Sequence, residues 1–139
     1  MIRKIGSFDR VPWKTLMQDM RKEPSPVWHQ ESICKDSKAG GWILDLLRLN
    51  RKHFVADNKT DIIFHDLTCV PDHRDCFDES CVLLVLRCGI NVRFTQAHQS
   101  VPMKKGDILT FNDHIIHGID NPDMSRIMLI SCSKGYSPR

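Results

Sequence analysis

The chain lacks any long apolar run. Its longest, residues 81–86 (Cys-Val-Leu-Leu-Val-Leu), has the length of a strand and falls far short of the roughly 18 residues that a membrane-spanning helix needs. The start of the chain, with Arg3 and Lys4 followed by Asp9 and Arg10, has none of the apolar core of a secretory signal. Long runs of lysine or arginine are missing too. The formal net charge is only +3, which permits nucleic acid as a partner without arguing for it. Internal repeats and low-complexity tracts are absent, and the seven glycines and seven prolines are spread as punctuation. These absences leave a globular protein, expected in the cytoplasm and without a membrane partner.

The cysteines need a separate reading. There are six, at positions 34, 69, 76, 81, 88 and 132. In a chain long enough to close its own core, and with no signal segment, they read as reduced thiols rather than a disulfide framework. Cys69, His73, Cys76 and Cys81 crowd into thirteen residues with no second pair to balance them. A structural zinc site usually brings two separated pairs, so these thiols read better as small core residues.

What is present fits one domain of 139 residues with an ordinary 41% of hydrophobic side chains. Trp13, Leu16, Met17 and Met20 recur at helical spacing over 11–21, and Glu23-Pro24-Ser25-Pro26 ends that helix. After Gly40-Gly41, a helix over 42–53 carries Trp42, Ile43, Leu46, Leu47 and Leu49 on one face and Asp45, Arg48 and Arg51 on the other. From Asp61 the period changes. Segments 61–67, 81–88, 91–96, 107–111, 114–119 and 126–133 are short and rich in Ile, Val, Leu, Phe or Thr. Turn residues separate them: Pro71-Asp72, Gly89, Pro102 with Gly106, and Asn121-Pro122-Asp123. The expectation is a mainly β protein, a helical part over 1–58 packing on a compact β-sandwich over 59–139. The run 81–86 reads as buried on both faces, and the helix over 42–53 as the cover of one sheet. Trp13, Trp28 and Trp42 read as packing residues, although Trp28-His29 could line a substrate mouth.

Four residues carry possible chemistry. His73 and Asp75 are two apart, so on an extended chain they share a side. His117 follows Gly106 by one strand and a turn, and Arg126 opens the last strand. Two imidazoles and one carboxylate on one face of an octahedron suit a ferrous ion and leave positions for other ligands. An arginine offers a permanent, bidentate partner for a carboxylate. His114 competes with His117, but an odd offset on a strand puts the two on opposite faces, and His117 is the better candidate. For Arg126 the plain alternative is a salt bridge at a strand start with Asp120 or Asp123.

The set His73-Arg74-Asp75, His117 and Arg126 resembles the His-x-Asp…His…Arg pattern of the 2-oxoglutarate/iron(II) dioxygenases, over about residues 61–134. That resemblance implies a double-stranded β-helix (jelly roll), Fe(II) on His73, Asp75 and His117, and 2-oxoglutarate anchored by Arg126. A second polar contact to that carboxylate would fall to His65 or Thr110. The implied reaction is hydroxylation of a C–H bond. The substrate stays open among small molecules, protein side chains and nucleic acid, and exposed sheet edges make a homodimer possible.

The stretch Gly106 to Asn121 is also similar to the second motif of the cupins, with His117 and Asn121 in place and Asn112 where proline is usual. The first cupin motif, His-x-His with a following glutamate, is broken at Asp75, although Glu79 is available. The alternatives are therefore a cupin-type metal-binding protein without 2-oxoglutarate chemistry, or a non-catalytic jelly-roll interaction protein.

Overall fold

The computed structural model describes residues 1–18, 20, 28–74 and 80–134. In chain order the elements are β1 (Arg3–Ser7), α1 (Trp13–Gln18), β2 (Trp28–Ser32), α2 (Lys38–Leu49), β3 (Thr60–Leu67), β4 (Val70–His73), β5 (Ser80–Arg87), β6 (Arg93–Gln96), β7 (Gln99–Pro102), β8 (Asp107–Asn112), β9 (His117–Asp120) and β10 (Ile127–Lys134). Six strands form one antiparallel sheet in the order β1-β8-β5-β10-β3-β2, and four form a second in the order β4-β9-β6-β7. No helix among the described residues is long and apolar enough to cross a membrane.

Strand β5 explains the layering. Residues Cys81 to Leu86 are all buried, and successive side chains of a strand point to opposite faces. Cys81, Leu83 and Val85 join Phe94, Phe111, Ile119 and Leu129 in a core between the two sheets. Val82, Leu84 and Leu86 join Phe64, Ile108 and Ile130 in a second core, beneath Leu16 of α1 and Ala39, Ile43 and Leu47 of α2. The large sheet is thus the middle of three layers. One face lies under helices and the other under the small sheet, as the doubly buried reading of 81–86 expects.

Helix α2 starts four residues earlier than its apolar stripe predicts. The Ser37 side chain accepts from Gly40 N at 3.0 Å, and its hydroxyl donates to Cys34 O at 2.6 Å. That N-cap pulls Ala39 and Gly40 into the buried first turn. Leu49, placed on the stripe by spacing, is exposed at the helix end. Helix α1 is shorter than the expected 11–21, with Leu16 fully buried.

The first 58 residues also correct the helical expectation, because β1 and β2 add two strands to the edges of the large sheet. An edge strand needs one hydrogen-bonded neighbour and half an apolar face. A segment such as Arg-Lys-Ile-Gly-Ser can therefore pair with β8 without an alternating pattern. Strands β4 and β7 escaped the pattern for the same reason. The segment expected as a strand over 114–119 begins only at His117, because 112–116 turn: Ile115 N donates to Asn112 O, and His114 N to Asn112 Oδ1 at 2.8 Å.

Two predictions follow from the cores. Leu84→Ala should lower the unfolding free energy by about 2–5 kcal/mol in urea, and a loss under about 1 kcal/mol would mean the helix-side core is not packed as described. Burial pushes the Cys132 thiol up to about 12 from its usual 9.0. Between those pH values the unfolded chain gives up the proton and the folded chain keeps it, so this stability is full below pH 9.0 and lost as pH rises toward 12. Cys132→Ala should show a shallower alkaline fall in urea midpoint than the parent; equal slopes would contradict the assignment.

Candidate metal centre

The small sheet places His73 against His117. Strands β4 and β9 pair with Val70 opposite Ile119 and His73 opposite His117, with a register shift between the two pairs. The imidazole centroids are 4.5 Å apart and the rings tilt by 57°. A side chain at Gly118 would prevent this approach. A Cβ there would lie 2.5 Å from Asp72 Oδ1 and 2.8 Å from Val70 O, so the bare backbone lets β4 fold down onto β9.

Both imidazoles are held in the same way. His73 Nδ1 lies 2.8 Å from Pro71 O, and His117 Nδ1 lies 2.8 Å from Ile115 O. A carbonyl oxygen only accepts, so in each ring Nδ1 carries the proton and donates. In the neutral ring the lone pair then sits on Nε2, the nitrogen that a metal would use. A backbone carbonyl behind a ligating histidine is the usual device for fixing tautomer and ring direction.

His73 is exposed at the strand end, whereas His117 is buried. Phe111 packs 4.8 Å from the His117 ring, and Phe94 stacks over it at 6.0 Å and 18°. These rings form an apolar wall that excludes water from one side of the pair. Asp113 Oδ1 stands 4.0 Å from His117 Nε2. Gln96, opposite His117 in the β6–β9 pair, is 3% exposed and donates through its amide nitrogen to Asn112 O at 2.6 Å. Its Oε1 is buried and has no partner among the described residues. An unmet buried acceptor costs about 1–3 kcal/mol. Sequence reading missed both residues. Gln96 ends a short alternating strand like any polar terminus, and only cross-strand register puts it beside a histidine.

The expected site residues fare differently. His73 and His117 come together. Asp75, like Glu79 and Cys76, lies outside the described residues. Among the described residues no three His, Cys, Asp or Glu side chains gather as a metal site. Arg126 is elsewhere. Its Nε donates to Asp66 Oδ1 at 2.9 Å and its Nη2 to Asp66 Oδ2 at 2.5 Å. The hydrogen bond to Asp66 raises the pKa of the guanidinium above its usual value. Phe64, two residues before Asp66, and Met128, two after Arg126, both belong to the helix-side core. The pair therefore sits on the face of the large sheet away from the histidines, as a half-exposed ion pair of modest worth. Asp66, rather than Asp120 or Asp123, is its partner.

The second contacts considered for a carboxylate separate too. His65 Nε2 meets Ser131 Oγ at 2.8 Å, on the face that carries Leu67 and Leu129. Thr110 alternates with Leu109 and Phe111 and so faces the helix side. His114 is exposed in the turn before β9. Cys81 is core, and Cys34, Cys69, Cys88 and Cys132 are free thiols.

Two residues of the cupin-like stretch have structural work. Gly106 adopts φ +90°, and a Cβ would meet Phe8 O at 2.5 Å, so only glycine suits this turn. Asn121 donates to Thr68 O and to Ser125 O, each at 2.7 Å, tying the start of β4 to the turn after β9.

No family model matches the chain, and no curated protein matches its sequence. Solved structures match it by shape. A cupin superfamily protein from Desulfitobacterium hafniense is 11% identical, with 96% of this chain and 97% of that one covered at a TM-score of 0.53. A cupin-2 domain protein from Rhodospirillum rubrum is 9% identical over 99% and 80%, at 0.52. An RmlC-like cupin protein from Desulfovibrio desulfuricans is 12% identical over 78% and 82%, at 0.51. At such identities the likeness is one of fold: a β-sandwich of the jelly-roll kind, shared with cupins. It is a likeness to the cupin fold and does not single out the 2-oxoglutarate dioxygenases.

Gly118→Ala should push β4 off β9. The expected result is a lower melting temperature together with loss of the nuclear Overhauser contacts between the His73 and His117 rings. Intact contacts at unchanged stability would refute the close approach.

Proposed function

We propose that this protein is a cupin-type metal-binding protein whose centre is one iron(II) ion held by His73, His117 and Asp75. The observation that carries the reading is the pair of adjacent imidazoles, each with Nδ1 committed to a backbone carbonyl, so that Nε2 is the nitrogen that would bind a metal. Asp75 is two residues beyond His73 and is assigned the carboxylate on that spacing. Two imidazoles and a carboxylate suit a ferrous ion with open positions.

Bound there, iron(II) would supply the capacity to bind and activate dioxygen at its open positions. The chain's own residues do the rest. The carbonyls of Pro71 and Ile115 orient the ligands, and Phe94 and Phe111 keep water from one side. The exposed His73 edge leaves an approach for substrate from solvent. 2-Oxoglutarate has no part in this proposal, because Arg126, the cation proposed for its distal carboxylate, pairs with Asp66 across the large sheet.

Anaerobic calorimetry with iron(II) tests the proposal. One ion per chain is expected, with affinity falling at least about 100-fold in His117→Ala and similarly in Asp75→Ala, since each substitution removes a ligand outright. Absence of stoichiometric binding to the parent protein would leave a jelly-roll scaffold without a centre. Adding 2-oxoglutarate to the iron-loaded protein should produce no visible charge-transfer band; a band lost in Arg126→Ala would restore the oxygenase reading.

A further inference from the structure

Gln96 and His117 are direct cross-strand partners whose side chains share the inner face of the small sheet, 3% and 5% exposed. Both are keyed to one backbone atom. The Ile115 carbonyl receives the His117 Nδ1 hydrogen at 2.8 Å and lies 3.5 Å from Gln96 Nε2, which donates more strongly to Asn112 O at 2.6 Å. Two carbonyls on one end of the amide settle its orientation, because only the NH2 group can face them. The imidazole and the amide are therefore anchored by their donor ends to a common turn, with their acceptor atoms, His117 Nε2 and Gln96 Oε1, on the far ends. Oε1 is buried and lacks a partner among the described residues. The neighbouring Phe94 and Phe111 rings offer no strong donor.

We infer that Gln96 Oε1 is a neutral oxygen ligand of the same metal ion that His73 and His117 hold. A cation would satisfy the buried Gln96 Oε1, and an amide oxygen suits a divalent ion of the hardness of iron(II) or manganese(II). This rests on the proposed metal centre and adds a donor to it. A single water molecule donating to Oε1 is the competing occupant.

Mn(II) alone is the probe, added to the full chain with circular dichroism as a control for folding. Gln96→Leu should bind Mn(II) about 10- to 100-fold more weakly than the parent, and water-proton relaxation should report one additional exchanging water on the ion. A packing role alone would not move that water count. Binding within about twofold and an unchanged water count in a folded Gln96→Leu would overturn the inference and assign Oε1 to a water. If that variant does not fold, the parent protein carrying 13C at the glutamine side-chain carbonyl decides. Electron–nuclear double resonance should show direct coupling to Mn(II), and its absence overturns the inference. Loss of Mn(II) binding in His117→Ala while Gln96→Leu is unaffected would leave the metal centre standing and remove only this ligand. No Mn(II) binding by the parent protein would remove both.

Discussion

Burial of β5 on both faces is the constraint from which the architecture follows. Six consecutive residues, Cys81 to Leu86, are divided by the pleat between a core under the helices and a core under the small sheet. A slip of one residue against β8 or β10 would exchange the two sets, so both neighbouring registers are fixed by packing. Each face then needs a cover. The helices supply one, and the four-stranded sheet supplies the other. The histidine pair exists because that second cover must curl back over Phe111 and the inner face.

At the site, geometry comes from backbone more than from side chains. The register shift in β4 and the missing Cβ of Gly118 bring His73 to His117. Carbonyls of Pro71 and Ile115 turn the rings, and the turn at 112–116 seats both Gln96 and His117. The arrangement resists a change of side-chain rotamer because His73, His117 and Gln96 are each tied to main chain.

The sequence made the core legible and the edges obscure. Strands β3, β5, β6, β8, β9 and β10 and the cover provided by α2 could be read because their apolar residues recur with the right period. Strands β1, β2, β4 and β7 could not, since an edge or a short outer strand needs no apolar alternation. Ser37, a capping residue, marks the start of α2 better than the stripe does. His73 and His117 were singled out by motif and order, and the pairing of β4 with β9 brings them together. Arg126 matched the same order, yet the alternation of β3 and β10 sends it and Asp66 to the other face. Gln96 had no signal at all, because only the pairing of β6 with β9 gives it meaning.

One consequence concerns how such a site would drift. Ile115 holds two site residues through its carbonyl, while its own side chain is 39% exposed. Every amino acid offers that same oxygen. The position can therefore change identity freely without disturbing the centre, and its importance would be invisible to any comparison of residue types. What selection would preserve is the shape of the turn, written in Asn112, whose side chain accepts from His114 N, rather than in Ile115 itself.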